Sequence, residues 1–117
     1  MPVISVSGTK KSKCVLFRQR AKQLLMDSSE LDIKDKRGIT CRFLSDAEGD
    51  DNPDSAIIIE VIGLFDKPER TPDVKSRLGE NLTKLARELF PEVELIQCFV
   101  PPFNPETGGF AESRKSA

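Results

Sequence analysis

The sequence contains no histidine, no tryptophan and no tyrosine among its 117 residues. Without histidine, a proton transfer near neutral pH must use an amine, a carboxylate, a thiol or a bound group. No apolar run reaches the roughly 20 residues that a membrane-spanning helix needs. The first residues also lack the apolar segment of a secretory signal peptide. We therefore expect a cytoplasmic protein that has no membrane partner.

Cysteine is scarce, and its spacing excludes two common uses. Cys14, Cys41 and Cys98 are odd in number and far apart, so they fit neither a disulfide framework nor a paired-cysteine metal site. We expect reduced and mostly buried thiols. The sequence also lacks a P-loop, a dinucleotide fingerprint and a zinc-binding pattern. It therefore predicts no cofactor and no metal.

Charge is nearly balanced, with a net charge of -1 and an isoelectric point near 5.5. Such a chain has no global attraction to nucleic acid or to acidic membranes. Residues 46–55 are acidic and turn-rich, do not match a calcium-binding loop, and are expected to be exposed. One stretch without an acid is basic, but it lacks interleaved aromatic residues, which favours a solvated helix face over a nucleic-acid site. Its basic residues are Lys10, Lys11, Lys13, Arg18, Arg20 and Lys22.

Two helices and four strands follow from the apolar pattern. The first strand begins at Val3, and the first helix is predicted to start near Ser12. Strands are predicted over residues 39–44, 56–65 and 93–100, and the continuous β-branched run of the second of these implies burial on both faces. The second helix has Thr71 as its N-cap and Pro72 at its first position. Its apolar stripe consists of Val74, Leu78, Leu82, Leu85 and Leu89.

The element order predicts one domain of the α/β (α+β) class. Two β-α-β units, residues 2–44 and 56–100, form a four-stranded mixed sheet that carries both helices on one face. An acidic loop, 45–55, joins the units, and a Pro- and Gly-rich tail, 101–117, follows them. A ferredoxin-like sheet has the same numbers of helices and strands, so the pattern alone does not separate the two folds.

The face of the sheet without helices carries polar as well as apolar residues. Arg42, Glu60 and Gln97 fall within predicted strands, where burying them singly would be costly. Ile58, Ile62 and Leu64 share the alternation of Glu60, so this face is mixed. A second layer from other subunits would account for it, and free strand edges favour pairing between chains.

Met1-Pro2 before a strand, the two β-α-β units and Thr107-Gly108-Gly109-Phe110 together resemble the tautomerase superfamily. This superfamily includes 4-oxalocrotonate tautomerase and macrophage migration inhibitory factor, and the likeness is greatest to a bacterial branch of uncharacterised members. The resemblance implies a homotrimer with pockets near subunit boundaries. It also implies that Pro2, freed of Met1, is the base in keto-enol proton transfer on a small 2-oxo acid.

The resemblance further implies groups that bind the substrate. An arginine at the start of a helix is matched by Arg70, and an arginine on a strand by Arg42. Lys36 is similar to a lysine before that strand, and Gln97 occupies a position on the last strand where a polar side chain is used. An aromatic wall is also implied, for which Phe99, Phe103 and Phe110 compete; Phe103 is placed in the candidate site.

Each of these residues also has a structural interpretation. Pro2 follows a start codon and permits methionine removal without any catalysis. Arg70 could be a solvated loop residue that pairs with Glu69 or Asp66. Arg42 could form a cross-strand ion pair with Glu60. Gln97 could be a hydrogen-bonding residue at an interface.

Two functions from different classes therefore stand side by side. The first is a cofactor-independent tautomerase or isomerase with Pro2 as base. The second is a non-enzymatic trimeric scaffold or interaction protein of the same fold, which predicts a buried or blocked Pro2 nitrogen. A regulatory ferredoxin-like module is a third interpretation, favoured by a monomer or dimer without a central channel.

Overall fold

The computed structural model describes residues 2–8, 13–44 and 56–115. Within them lie four strands, two α-helices and two short 3₁₀ turns, Ser29–Leu31 and Lys36–Gly38. The acidic segment and the two lysines Lys10 and Lys11 lie outside the described residues, as does Ser12. The longer elements are β1 (Val3–Ser7), α1 (Cys14–Asp27), β2 (Thr40–Leu44), β3 (Ala56–Ile62), α2 (Pro72–Leu89) and β4 (Leu95–Phe99).

The strands form one mixed sheet in the order β2-β1-β3-β4. Each β-α-β unit contributes a parallel pair, β1 with β2 and β3 with β4. The two units meet through the antiparallel pair β1 and β3. In a ferredoxin-like sheet the strands that one helix connects are not neighbours. The direct pairing of β1 with β2 therefore excludes that alternative and confirms the predicted arrangement.

The core lies between the sheet and the two helices, which contact each other on the same face. From α1, the buried residues Phe17, Ala21 and Leu25 recur at helical spacing. The predicted stripe of α2 is buried along its whole length. No helix within the described residues is long and apolar enough to cross a membrane.

The start of α2 is fixed by local sequence. The Thr71 hydroxyl accepts a hydrogen bond from the Val74 N–H at 3.3 Å, which satisfies one of the free N–H groups of the first turn. Pro72 is the first residue of the helix, where its missing N–H is not needed. The predicted N-cap is therefore confirmed.

The end of β3 differs from the prediction. The strand stops at Ile62 rather than at Phe65, because Gly63 adopts a φ of 86° and turns the chain out of the sheet. Leu64, predicted to lie on the face of Glu60, is instead 1% exposed in the core.

The prediction that β3 is buried on both faces was also wrong for a single chain. Ile57, Ile59 and Val61 lie under the helices, whereas Glu60 and Ile62 are exposed on the other side. Both helices cover a single face, so nothing in the described chain covers the opposite one. We call that opposite side the open face; its exposed large apolar residues are Leu44, Ile62, Leu95 and Phe99.

Candidate functional site

One end of the sheet gathers several of the predicted site residues. β1 and β2 begin there, whereas β3 and β4 end there, because the two parallel pairs run in opposite directions. We call this region the proline end; it consists of Pro2, residues 36–39, residues 63–70 and residues 100–110.

Pro2 is buried and is fixed by its neighbours on both sides. Its carbonyl accepts a hydrogen bond from the Thr40 N–H at 3.1 Å, which extends the β1–β2 pairing by one residue. On the other side, the following residue, Val3, is paired in register with Ile62, the last residue of β3. By the alternation of the strand, Pro2 shares the helix-covered side with Ile4. Pro2 is thus held at the start of β1, next to β2.

Arg70 lies at the proline end, but its guanidinium is already occupied. One terminal nitrogen donates to the Phe65 carbonyl and the other to the Leu31 carbonyl, each at 2.8 Å. Its Nε is buried and has no hydrogen-bond partner in the part of the chain that the structure describes. Neither Glu69 nor Asp66 pairs with it. Arg70 therefore connects the loop after β3 to the turn after α1.

Acidic charge beside Arg70 comes from Asp32, which directly follows Leu31 in a left-handed backbone conformation with a φ of 53°. The Lys34 ammonium, 2.8 Å from its carboxylate, holds the pKa of Asp32 below its usual range. The charges of Lys67 and Arg70 lower that pKa further. The positive charge of Arg70 is therefore partly offset by an ionised carboxylate.

Lys36 is exposed and lies in a basic groove of about 270 Å³ between α1 and the turn before β2. Arg18 in this groove is anchored, since its Nε donates to the Cys41 carbonyl at 3.2 Å and its guanidinium lies 5.3 Å from the centre of the Phe43 ring. The other lining residues are Gln19, Lys22 and Arg37.

Arg42 and Gln97 both lie on the open face, away from the helix-covered side that holds Pro2. Arg42 is paired in register with Ser5 and donates from Nε to its hydroxyl at 3.2 Å. Because β1 lies between β2 and β3, Arg42 and Glu60 are not neighbours, so the predicted cross-strand ion pair was wrong. Gln97 is paired with Ile58, towards the opposite end of the sheet.

Phe103 belongs to an aromatic cluster at the proline end. Its ring centre lies 5.5 Å from that of Phe65 and 6.4 Å from that of Phe110, and the latter two are 4.9 Å apart with nearly perpendicular planes. Such edge-to-face contacts are favourable. Phe99, which competed for the aromatic wall, is instead 52% exposed on β4. Phe65 was not predicted as a site residue, because the sequence pattern assigned it to β3, which in the structure ends three residues earlier, at Ile62.

Asp66 was also missed as a site residue. Its backbone N–H donates to the Phe103 carbonyl at 2.7 Å, and its Oδ1 accepts the Phe103 N–H at 3.1 Å. The same oxygen pairs with the Lys75 ammonium at 3.3 Å. An aspartate just before a Lys-Pro pair signals a turn, yet nothing in the sequence shows that its partner lies 37 residues away.

Cys41 and Cys98 are free thiols. Burial raises the pKa of the Cys41 thiol to about 11 and that of Cys98 to about 12, so neither forms a thiolate readily near neutral pH. Over residues 2–8, 13–44 and 56–115 there is no group of three or more acidic, thiol or imidazole side chains placed to hold a metal ion.

The structure thus brings Pro2, Lys36, Arg70 and Phe103 to one end of the sheet, and it leaves Arg42 and Gln97 on the open face. No family model matches the sequence, and no curated protein matches it significantly. Solved structures with the same architecture do exist.

Three of them match this chain along nearly its whole length. A domain of unknown function, DUF1904, from Sebaldella termitidis ATCC 33386 has a TM-score of 0.64 at 18% identity, over 96% of this chain and 95% of its own. A 5-carboxymethyl-2-hydroxymuconate isomerase from Deinococcus radiodurans R1 has a TM-score of 0.62 at 16% identity, over 97% and 90%. The protein N1 of the cis-3-chloroacrylic acid dehalogenase family has a TM-score of 0.59 at 21% identity, over 97% and 81%.

The chain has the tautomerase-superfamily fold. The predicted resemblance is therefore confirmed at the level of architecture. At these identities the likeness concerns the fold, and a fold by itself does not determine function.

Proposed function

We propose that this protein is a cofactor-independent tautomerase or isomerase that moves a proton between carbon and oxygen of a small 2-oxo acid. The amine of Pro2, formed when Met1 is removed, is the base. The observation that carries the proposal is the position of Pro2, which directly precedes the central strand β1 and is tied to Thr40 through its carbonyl. A nitrogen held in this way is already oriented for proton transfer, which a flexible chain end is not.

Burial of the Pro2 residue is compatible with a base as well as with the scaffold, which predicts a buried or blocked nitrogen; the two functions differ in the pKa of the freed amine and in its access to substrate. An α-amine in a peptide has a pKa of about 7.7–8.0. Surroundings poor in water disfavour the protonated form, so we expect the pKa of the freed Pro2 amine to lie below that range. The neutral amine would take the proton from the enol hydroxyl of the substrate and return it to carbon as the ketone forms, leaving the protein unchanged.

A cation is needed to hold the substrate carboxylate and the developing negative charge. Both terminal nitrogens of Arg70 already bind carbonyl groups, so of the two predicted cations at the proline end, Arg70 and Lys36, the exposed Lys36 is the more available. Arg42 and Gln97 are directed away from Pro2 in their own chain. In the proposed homotrimer, they would serve the pocket of an adjoining subunit.

The open face supports that assembly. Four large apolar side chains on it are between 42% and 52% exposed, and contact with other subunits would remove them from water. The homotrimer, the cytoplasmic location and the lack of a nucleic-acid or membrane partner stay predictions.

The first test is whether the amine exists. Intact mass of the protein purified from cells without a tag should show complete removal of Met1. Titration of the Pro2 nitrogen by NMR should then give a pKa below that of an ordinary proline amine. Retention of Met1 would exclude the mechanism, since an amide nitrogen cannot act as the base.

The second test is reaction of the amine with an electrophile. The protein Pt0534, which has the same fold with a TM-score of 0.55, was inactivated by 2-oxo-3-pentynoate. Addition of the Pro2 nitrogen to the triple bond of this reagent would form one N–C bond, and the amine proton would pass to the reagent. We expect a mass increase equal to one reagent, confined to the N-terminal peptide.

Turnover completes the test. The enol form of phenylpyruvate should be converted to the ketone faster by the protein than by buffer, and Pro2→Ala should reduce kcat by roughly 10²-fold or more. This variant keeps a terminal amine but loses the secondary amine and its fixed ring. No turnover with a broad set of 2-oxo acids, together with an unlabelled Pro2, would favour the non-enzymatic scaffold instead.

A further inference from the structure

The tail that follows β4 is fastened to the proline end by one residue. Asp66 binds both backbone polar groups of Phe103: its N–H donates to the carbonyl at 2.7 Å, and its Oδ1 accepts the N–H at 3.1 Å. We call this pair of hydrogen bonds the clasp. It resembles one step of an antiparallel ladder, except that a side chain replaces one of the two backbone partners.

Both sides of the clasp are themselves supported. The Lys75 ammonium pairs with the same oxygen of Asp66, and the Lys75 side chain is only 15% exposed. Residue 65, next to Asp66, is held by Arg70 through its carbonyl. On the tail, the Thr107 and Gly108 N–H groups both donate to the Asn104 carbonyl, which forms a turn directly after Phe103.

The clasp determines where two aromatic rings lie. Phe103 and Phe110 pack on Phe65, but Phe110 is 50% exposed, so apolar contact alone fixes them weakly. In the described chain, no hydrogen bond besides the clasp joins residues 101–115 to the rest of the fold. Breaking it would leave the tail held by partly exposed ring contacts.

We propose that Asp66 is a positioning residue that fixes the tail over the proline end and thereby sets how tightly substrate is bound beside Pro2. This inference rests on the proposed function. Asp66 does not touch the reacting atoms in this scheme; it acts through Phe103 and Phe110. Loss of the clasp should therefore raise KM and change kcat little.

Hydrogen exchange tests the clasp directly and independently of activity. In Asp66→Ala, the Phe103 amide loses its acceptor and should exchange about fivefold faster or more. The amides of Thr107 and Gly108 bind within the tail and should be unaffected. Asp66→Asn keeps an oxygen in the same place and should preserve protection at Phe103, although the pair with Lys75 is lost.

Kinetics then tests the positioning role. Asp66→Ala should raise KM for an enolised 2-oxo acid by about fivefold with kcat within about twofold, while Asp66→Asn stays near the unchanged protein. Asp27→Ala is the matched control, because Asp27 is an exposed carboxylate on α1 that accepts a single hydrogen bond, from Gln23 at 2.7 Å.

The outcomes are distinct. Unchanged exchange at Phe103 in Asp66→Ala would refute the clasp. Faster exchange with unchanged KM would show that the clasp is structural only and would overturn the positioning role, while leaving the proposed function intact. Absence of both turnover and Pro2 labelling in the unchanged protein would overturn the proposed function and, with it, the positioning role.

Discussion

Replacing Arg70 by alanine should destabilise the fold rather than merely weaken ligand binding. Arg70 joins two segments that are 34 residues apart in sequence, residues 31 and 65, through two charge-assisted hydrogen bonds to carbonyl oxygens. Leu31 is fully buried, so its carbonyl has poor access to water once the guanidinium is gone. The side chain therefore has a structural task that is independent of any substrate.

The magnitude follows from these contacts. Hydrogen bonds to a charged group contribute about 1.5–3 kcal/mol each, and the half-buried position of Arg70 argues for the lower part of that range. Two such bonds give about 3–4 kcal/mol. Removing Nε, which is buried and unsatisfied in the native protein, relieves a cost of about 1 kcal/mol and so offsets part of this loss. We therefore expect a loss of about 2–3 kcal/mol in the free energy of unfolding.

Such a loss is measurable by urea denaturation followed by far-ultraviolet circular dichroism, at one protein concentration. Intrinsic fluorescence is unsuitable, because the chain has neither tryptophan nor tyrosine. With a urea dependence of about 1.5 kcal/mol per M, the midpoint should fall by about 1.3–2 M. Arg70→Lys should lie between, since an ammonium can reach one carbonyl but lacks the planar fork needed to bind both.

Arg37→Ala is the control, because Arg37 is 92% exposed and pairs with Asp35 only two residues away. It should leave the midpoint unchanged within error. An Arg70→Ala protein as stable as the control, but with weakened binding of 2-oxo acids, would refute this reasoning and assign the guanidinium to the substrate.

Three further outcomes test the fold and its thiols. Leu82→Ala should lower the free energy of unfolding by about 3 kcal/mol because Leu82 is fully buried. Leu95→Ala, at a side chain that is 48% exposed, should lower it by less than about 1 kcal/mol unless another subunit covers this residue. Urea midpoints measure the losses, and light scattering shows whether subunits associate. Thr71→Ala should cost about 1 kcal/mol by removing the N-cap of α2, and Thr71→Ser should restore it. Burial raises the pKa of the Cys41 thiol to about 11 and that of the Cys98 thiol to about 12, from 9.0. Above pH 9 the unfolded chain therefore loses thiol protons that the folded chain keeps, which favours unfolding. Stability should therefore fall as the pH rises from about 9 towards 11–12, and Cys41→Ala with Cys98→Ala should flatten that fall; at pH 8, a thiol reagent should react slowly with both native residues.

The fold was predictable where local chemistry decides it. Thr71 and Pro72 determine the start of α2 without help from distant residues, and the apolar stripe determines which side of that helix is buried. The end of β3 was not predictable in the same way, because the β-branched residues before Gly63 and the apolar Leu64 and Phe65 after it favour a strand, and only the positive φ of Gly63 turns the chain.

The candidate site was predictable in part, for a related reason. Pro2 could be proposed from sequence because its place directly before the first strand is visible there, and the structure confirms that strand. The roles of Arg70 and Asp66 depend on partners 39 and 37 residues away, which no short pattern reveals. Arg42 shows the same limit, since its neighbour Ser5 follows from the strand order rather than from spacing.

The antiparallel meeting of β1 and β3 gives the sheet an approximate twofold relation, in which each half begins with a central strand flanked by its own parallel partner. The start of β1 in one half therefore corresponds to the start of β3 in the other. The proposed function places a freed amine beside the first of these only. The two ends of this nearly symmetric sheet are then chemically different. Under the proposed function, chemistry that requires the freed Pro2 amine would therefore occur at one end of the sheet only, however closely the two backbones match.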